Sequence, residues 1–168
     1  MDTSSNALIS DKEFTLFQKM IYQQAGISMT SAKKALVIGR LGRRLRYYNL
    51  ESFRQYHDLV TSNRFPAELQ TVIDLLTTNE TYFFRESRHF DVLKSEVIPE
   101  LRKNAQMFRV WSAASSSGQE AYTTAMVLAD TLGLTANWEV IGTDISTRII
   151  KQAQAGLYPM KEAENIST

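Results

Sequence analysis

The segment from Met107 to Asp144 constrains the fold more than any other part of the chain. "MFRVWSAA" is an apolar run rich in β formers and too short for a helix. "SSSG" follows, then the helical pattern "QEAYTTAMVLADTL", then a second strand pattern, "WEVIGT", which ends at Asp144. A strand, a turn of small residues, a helix and a strand closed by an acid make a βαβ unit of parallel-sheet type. A further helical pattern, "STRIIKQAQAG", comes after it.

The first segment, before the linker, reads as all helix. Asp11 is the expected cap of a helix from about Lys12 to Ala25, stopped by Gly26. Ser31 is the expected start of a second, through about Tyr48, with Ile38, Leu41, Leu45 and Tyr48 on its apolar face. Helices over 51–62 and 66–76 complete a four-helix bundle, the last opening on Pro66 as a first-turn residue. A longer helix is expected over about 86–104.

Composition sets the class. The chain has 168 residues, 43% hydrophobic and 22% charged, which is globular. There are no cysteines, so disulfides and thiolate metal sites are excluded. Only His57 and His89 could offer imidazole to a metal, so no metal centre is expected. No apolar run reaches the roughly 18 residues of a membrane span, and "MDTSSNALISDKEF" lacks the pattern of a secretory signal. A cytoplasmic location is the expectation. The net charge of +1 hides an asymmetry: residues 1–76 carry ten basic and seven acidic side chains, and residues 77–168 nine and eleven. No acid occurs from Phe14 to Leu50, where Lys19, Lys33, Lys34, Arg40, Arg43, Arg44 and Arg46 lie. That stretch implies an anionic partner.

Chemistry is expected at the small-residue loop Ala113–Gly118. Such a loop lets a ligand approach the backbone, and the helix behind it offers free N–H groups. Asp144, 26 residues after Gly118, would end beside it and accept hydrogen bonds from a ribose diol. A structural turn with a capping Asp accounts equally well for the spacing. Glu120, in the first turn of the next helix, either complements the helix dipole or faces a cationic ligand. The loop is not GxGxxG, so an adenosyl cofactor without a pyrophosphate fits better than a dinucleotide. Upstream, "LLTTNETYFFRES" sets Asn79, Thr81 and Arg85 around three aromatics, Tyr82, Phe83 and Phe84. Its polar residues suit either a capped linker or a ligand, and its aromatics are expected to pack two domains together.

"LLTTNETYFFRESRHFDVL", "VIPEL", "RVWSAASSSGQEAY", "EVIGTDIS" and "AGLYP" together resemble the chemotaxis receptor methyltransferase family, of CheR type. The resemblance implies a small all-α N-terminal bundle followed by the first half of an α/β Rossmann-like S-adenosylmethionine-dependent methyltransferase domain. It implies domains over 1–76 and 89–168, with a linker over 77–88 lying across the cofactor. The activity implied is methyl esterification of glutamates on chemoreceptor cytoplasmic helices, releasing S-adenosylhomocysteine. The cofactor contacts implied are Asn79, Thr81, Arg85, Glu120 and Asp144. Arg40, Arg43, Arg44 and Arg46 would then dock the acidic receptor helix. Ala114 stands where many members have Gly, and Gln119 where many have Glu. The family's sheet is larger than this chain can supply, so a truncated methyltransferase domain is expected, inactive alone and paired as a homodimer through the open sheet edge or a domain swap. Two readings from other classes remain: a nucleic-acid-binding helical module, and a non-catalytic cofactor sensor.

Overall fold

Ser10, not Asp11, starts the first helix. Its hydroxyl accepts from the Glu13 N–H at 3.3 Å while its own N–H donates to the Glu13 carboxylate at 2.8 Å, a reciprocal cap. Both residues are good caps; Ser10 wins because Glu13 stands three residues after it. Asp11 instead holds Lys34 at 2.7 Å. The computed structural model describes residues 8–62, 64–103 and 107–166. These form two compact units, one ending at Thr78 and the other beginning at Asn79.

The first unit is all helical. Helix α1 is Asp11–Ala25, α2 Lys34–Tyr47, α3 Phe53–Thr61 and α4 Pro66–Leu76. A tighter 3₁₀ turn at Ser31–Lys33 leads into α2, so the regular helix starts three residues later than Ser31 implies. Ser52 caps α3 by accepting from the Gln55 N–H, which sets its start at Phe53 rather than at 51. In α2 the buried stripe is Val37, Leu41 and Leu45, with Ile38 and Tyr48 half-buried at its margins. These side chains meet Phe14, Phe17 and Ile21 of α1, Tyr56 and Val60 of α3, and Val72 and Leu76 of α4 in one core. Burial of these faces, worth about 1.5–3 kcal/mol per large apolar side chain, holds the unit together.

The second unit begins with an extended stretch, Asn79 to Tyr82, and a turn at 83–86. The expected helix over 86–104 is three pieces: α5 Ser87–Val92, a π turn at Leu93–Val97, and α6 Ile98–Arg102. Residues 104–106 lie outside the described residues. Strand β1 is Phe108–Ala113, α7 Gln119–Leu132, β2 Trp138–Thr143 and α8 Thr147–Ala155, followed by a 3₁₀ turn at Met160–Asn165. β1 and β2 are parallel, pairing Phe108 with Trp138 through Ala113 with Thr143. Phe108, Val110, Trp138 and Val140 point inward to Val127 and Leu128 of α7 and to Ile98. The other sheet face is open: Trp111 and Ile141, paired across it, are 69% and 49% exposed.

Among the described residues, no helix is long and apolar enough to cross a membrane, and no three His, Asp or Glu side chains gather to hold a metal ion.

Candidate functional site: the loop after the first strand

The β1–β2 register decides where the acid falls. Because Ala113 pairs with Thr143, the chain leaving β1 turns over the end of β2, and the Ser115 N–H donates to the Thr143 carbonyl at 2.8 Å. Asp144 follows directly. Its Oδ2 accepts from the Ser116 N–H and its Oδ1 from the Ser146 N–H, both at 2.9 Å. The carboxylate thus ties the loop to the start of α8, where Ser146 caps the helix. A carboxylate has about four lone-pair sites, so two acceptor positions remain. Asp144 is thus a structural staple that keeps acceptor capacity.

Glu120 lies in the first turn of α7 and is exposed. Its Oε1 accepts from the buried Ser112 hydroxyl at 2.6 Å, which orients the carboxylate at the C-terminal end of β1 and leaves Oε2 for another donor. The loop between Glu120 and Asp144 is held under strain. Ala114 and Ser116 adopt φ of 61° and 51°, left-handed values uncommon for residues with a side chain. Ala114 therefore carries a cost that a glycine would not. The Ser116 side chain is 7% exposed, and its Oγ has no hydrogen-bond partner among the described residues. A buried, unpaired hydroxyl and strained backbone gather where sites are built. Gly142 permits the close approach of loop to strand: a Cβ there would stand 2.9 Å from Ser115 Oγ.

The linker joins this unit through its backbone. The Phe84 N–H donates to Thr123 Oγ1 at 3.2 Å, one helical turn beyond Glu120. Asn79 and Thr81 are half-buried while Glu80 and Tyr82 are exposed, the alternation of extended chain. The Arg85 guanidinium donates to the Glu80 carbonyl at 2.5 Å and is otherwise exposed. Phe83 packs on Tyr158 and Phe84 on Phe90, both within the second unit, and Tyr82 is exposed. The turn at 83–86 directs two of the rings inward and leaves the third in the solvent-facing register.

The four arginines of α2 have different surroundings. Arg44 donates two hydrogen bonds to Glu68, at 2.8 and 2.5 Å. Arg40 donates to the carbonyls of Leu75 and Thr77, both at 2.8 Å, satisfying the end of α4. Arg43 and Arg46 are exposed and line an open groove of about 810 Å³ with Ala35, Ile38, Gly39 and Gly42. Sequence reasoning missed the role of Ser112, Ser116, Glu68 and Tyr158. Only Tyr158 had a signal, its place in "AGLYP".

Gln119 is held by local partners. Its amide Nε2 donates to the Glu162 carboxylate at 2.9 Å and its Oε1 accepts from Ser117 Oγ at 2.7 Å. A glutamate at 119 would set two carboxylates against each other.

Two family models match the chain in succession: "CheR methyltransferase, all-alpha domain" over residues 12–77 and "CheR methyltransferase, SAM binding domain" over 79–168. The chemotaxis protein methyltransferase of Escherichia coli strain K12 is 42% identical over 160 residues, 95% of this chain and 54% of that protein. That of Salmonella typhimurium is 40% identical over the same shares of each chain. The Borreliella burgdorferi protein of the same name is 33% identical over 170 residues, 96% of this chain and 60% of its own. The chain spans about half the length of the curated relatives it matches. With an all-helical first unit, a parallel βαβ second unit and both models matched in order, the chain belongs to the CheR methyltransferase family.

Proposed function

We propose that this chain carries the cofactor loop of an S-adenosylmethionine-dependent protein-glutamate O-methyltransferase acting on chemoreceptors. The observation that carries the reading is Asp144, positioned by β2 against a strained loop of small residues and retaining free acceptor capacity. The donor set fits the group. Asp144 would take the ribose hydroxyls, and Glu120, with one free oxygen, would face the methionine amine. Asn79, Thr81 and Arg85 would contribute from the linker. When bound, the cofactor supplies a methyl group on a sulfonium. A receptor glutamate has a reference pKa of about 4.3 and is already ionised at neutral pH, so no residue of this chain need remove a proton. The work of the protein is positioning and exclusion of water.

The test is calorimetry with S-adenosylhomocysteine. Asp144→Ala is expected to weaken binding by about 1–3 kcal/mol, the range for charge-assisted hydrogen bonds. Equal affinity of both proteins removes Asp144 from the site. No heat of binding from the unaltered chain at millimolar ligand overturns the cofactor reading.

Receptor docking belongs to the groove along α2. Arg43 and Arg46 are its free cations, and Gly39 and Gly42 bring its floor close to the helix axis, although Glu51 at the rim opposes them in charge. Arg40 and Arg44 support this face from behind through their contacts with α4. The double variant Arg43→Glu/Arg46→Glu is expected to weaken binding of an acidic helical peptide at least tenfold at low salt. Its stability should change by no more than about 0.5 kcal/mol, since both side chains are on the surface. Fluorescence anisotropy with undiminished affinity would make this face a solvated surface only.

A further inference from the structure

Tyr158 lies in the loop between α8 and the last 3₁₀ turn, and neither the βαβ pattern nor the cofactor contacts assign it a task. Its hydroxyl donates to the Ser117 carbonyl at 2.6 Å, inside the Ala113–Gly118 loop. Its ring stands edge-on to Phe83 of the linker, with centroids 4.9 Å apart and planes at 79°. The same ring meets Tyr122 of α7 at 5.8 Å and 77°. Tyr122 in turn donates to the Ala153 carbonyl of α8 at 2.9 Å. One side chain therefore touches the linker, the loop and the helix behind the loop. The Gln119–Glu162 hydrogen bond fastens the segment beyond Tyr158 to the start of α7.

We propose that Tyr158 is a positioning residue that keeps the linker Asn79–Arg85 and the loop Ala113–Gly118 in register, so that both present their polar groups to one ligand.

The proposal rests on the cofactor reading of those two segments, but its geometry is independent of it. The linker has no regular structure to set its place. Phe84 holds its far end, by its hydrogen bond to Thr123 and its packing on Phe90, and the Phe83–Tyr158 contact holds the residue before it; Phe83 is its one buried residue between Asn79 and Glu86. The loop has a parallel need. Its staple to Asp144 acts at Ser116, and the Tyr158 hydroxyl acts on the next residue, Ser117. Burial, then the nearby Tyr122 and Glu162, pushes the Tyr158 hydroxyl up to about 12, so it stays a donor throughout the neutral range. The two functions are chemically separable: the hydroxyl serves the loop, and the ring serves the linker.

That separation supplies the experiment. Tyr158→Phe removes the hydroxyl and keeps the ring; Tyr158→Leu removes both. Amide hydrogen exchange is measured on the whole chain, with S-adenosylhomocysteine affinity measured in parallel. Tyr158→Phe is expected to speed exchange at Ser116 and Gly118, leave Phe84 unchanged, and weaken ligand binding roughly tenfold. Tyr158→Leu is expected to speed exchange at Phe84 as well and to weaken binding further. In both variants Val110 and Leu128, in the strand and helix core, should keep their protection. Equal acceleration at Val110 and Leu128 would assign Tyr158 to general stability and overturn the proposal. So would unchanged exchange at Phe84 in Tyr158→Leu, or unchanged affinity in both variants. If the unaltered chain does not bind S-adenosylhomocysteine, the cofactor reading fails, and the exchange pattern still decides whether Tyr158 couples the two segments.

Discussion

Glu68→Ala is expected to cost the first unit about 3 kcal/mol, a large share of the roughly 5–15 kcal/mol typical of a domain. The Glu68 side chain, only 4% exposed, accepts four hydrogen bonds. Two come from Arg44, one from Tyr48 at 3.0 Å and one from Tyr56 at 2.5 Å. Those partners tie α2 and α3 to the first turn of α4. Without the carboxylate, the fully buried Tyr56 hydroxyl is orphaned and Arg44 loses its counter-charge. The Arg44 side chain is 25% exposed and stacks on Tyr47 and Tyr48, so water and the rings recover part of the loss. That places the expectation at the low end of the range for a broken buried pair. The pH dependence has a definite sign. Burial pushes the Glu68 carboxyl up, but the hydrogen bonds from Arg44, Tyr56 and Tyr48 and the Arg44 charge outweigh it, leaving the group below its ordinary 4.5. A lowered carboxylate contributes stability above its unfolded value and loses it as pH falls through the folded one. The gap between the unaltered protein and Glu68→Gln should therefore be full above pH 5 and shrink below about 4.5. Urea unfolding followed by far-UV circular dichroism reads the helices. Both tryptophans lie in the second unit, so their fluorescence serves as the control. A gap that does not change with pH would show that the Glu68 charge contributes nothing.

This network marks the boundary of what the sequence discloses. The acid-free run from Phe14 to Leu50 reads as a basic face because periodicity carries no information about partners 24 residues away. Arg44 finds its acid on α4, and Arg40 finds the carbonyls at the end of the same helix. Of the four arginines in that run, Arg40 and Arg44 are structural and Arg43 and Arg46 are exposed, while Lys34 pairs with Asp11. The βαβ unit was more legible because its signals are local. Strand composition, small residues and the 26-residue interval to Asp144 together place the acid beside the loop, and the register confirms that placement. Its hydrogen bonds to Ser116 and Ser146 were not legible, since backbone donors leave no mark on residue identity. The linker was legible only by resemblance. Its aromatic run indicates burial somewhere, and only the turn at 83–86 decides that Phe83 and Phe84 go inward and Tyr82 does not. Ser10 and Asp11 show the finer limit: adjacent residues of equal capping quality are separated only by the side chain three positions on.

Gly118→Ala should be the most damaging single methyl group in the second unit, costing about 2–5 kcal/mol from strain and overpacking together. Gly118 has φ 98° and ψ −6°, well beyond the left-handed region that L residues visit. An added Cβ would stand 2.9 Å from Ala153 Cβ, 2.9 Å from the Tyr158 hydroxyl and 3.2 Å from the Tyr122 ring. Ala153 cannot yield by changing rotamer; α8 itself must shift, and its cap Ser146 shares Asp144 with the loop. The clash would thus be transmitted to the candidate site as well as to stability. Gly133→Ala isolates the two contributions. Gly133 has φ 91° and ψ 153°, a conformation also reserved for glycine, but nothing lies within 4 Å of an added Cβ. It should cost only the backbone strain, about 1–3 kcal/mol. Denaturant unfolding monitored by tryptophan fluorescence compares them directly. A Gly118→Ala loss clearly above that of Gly133→Ala measures the packing against Ala153, Tyr158 and Tyr122. Equal losses would mean that this close contact is loose enough to absorb a methyl group.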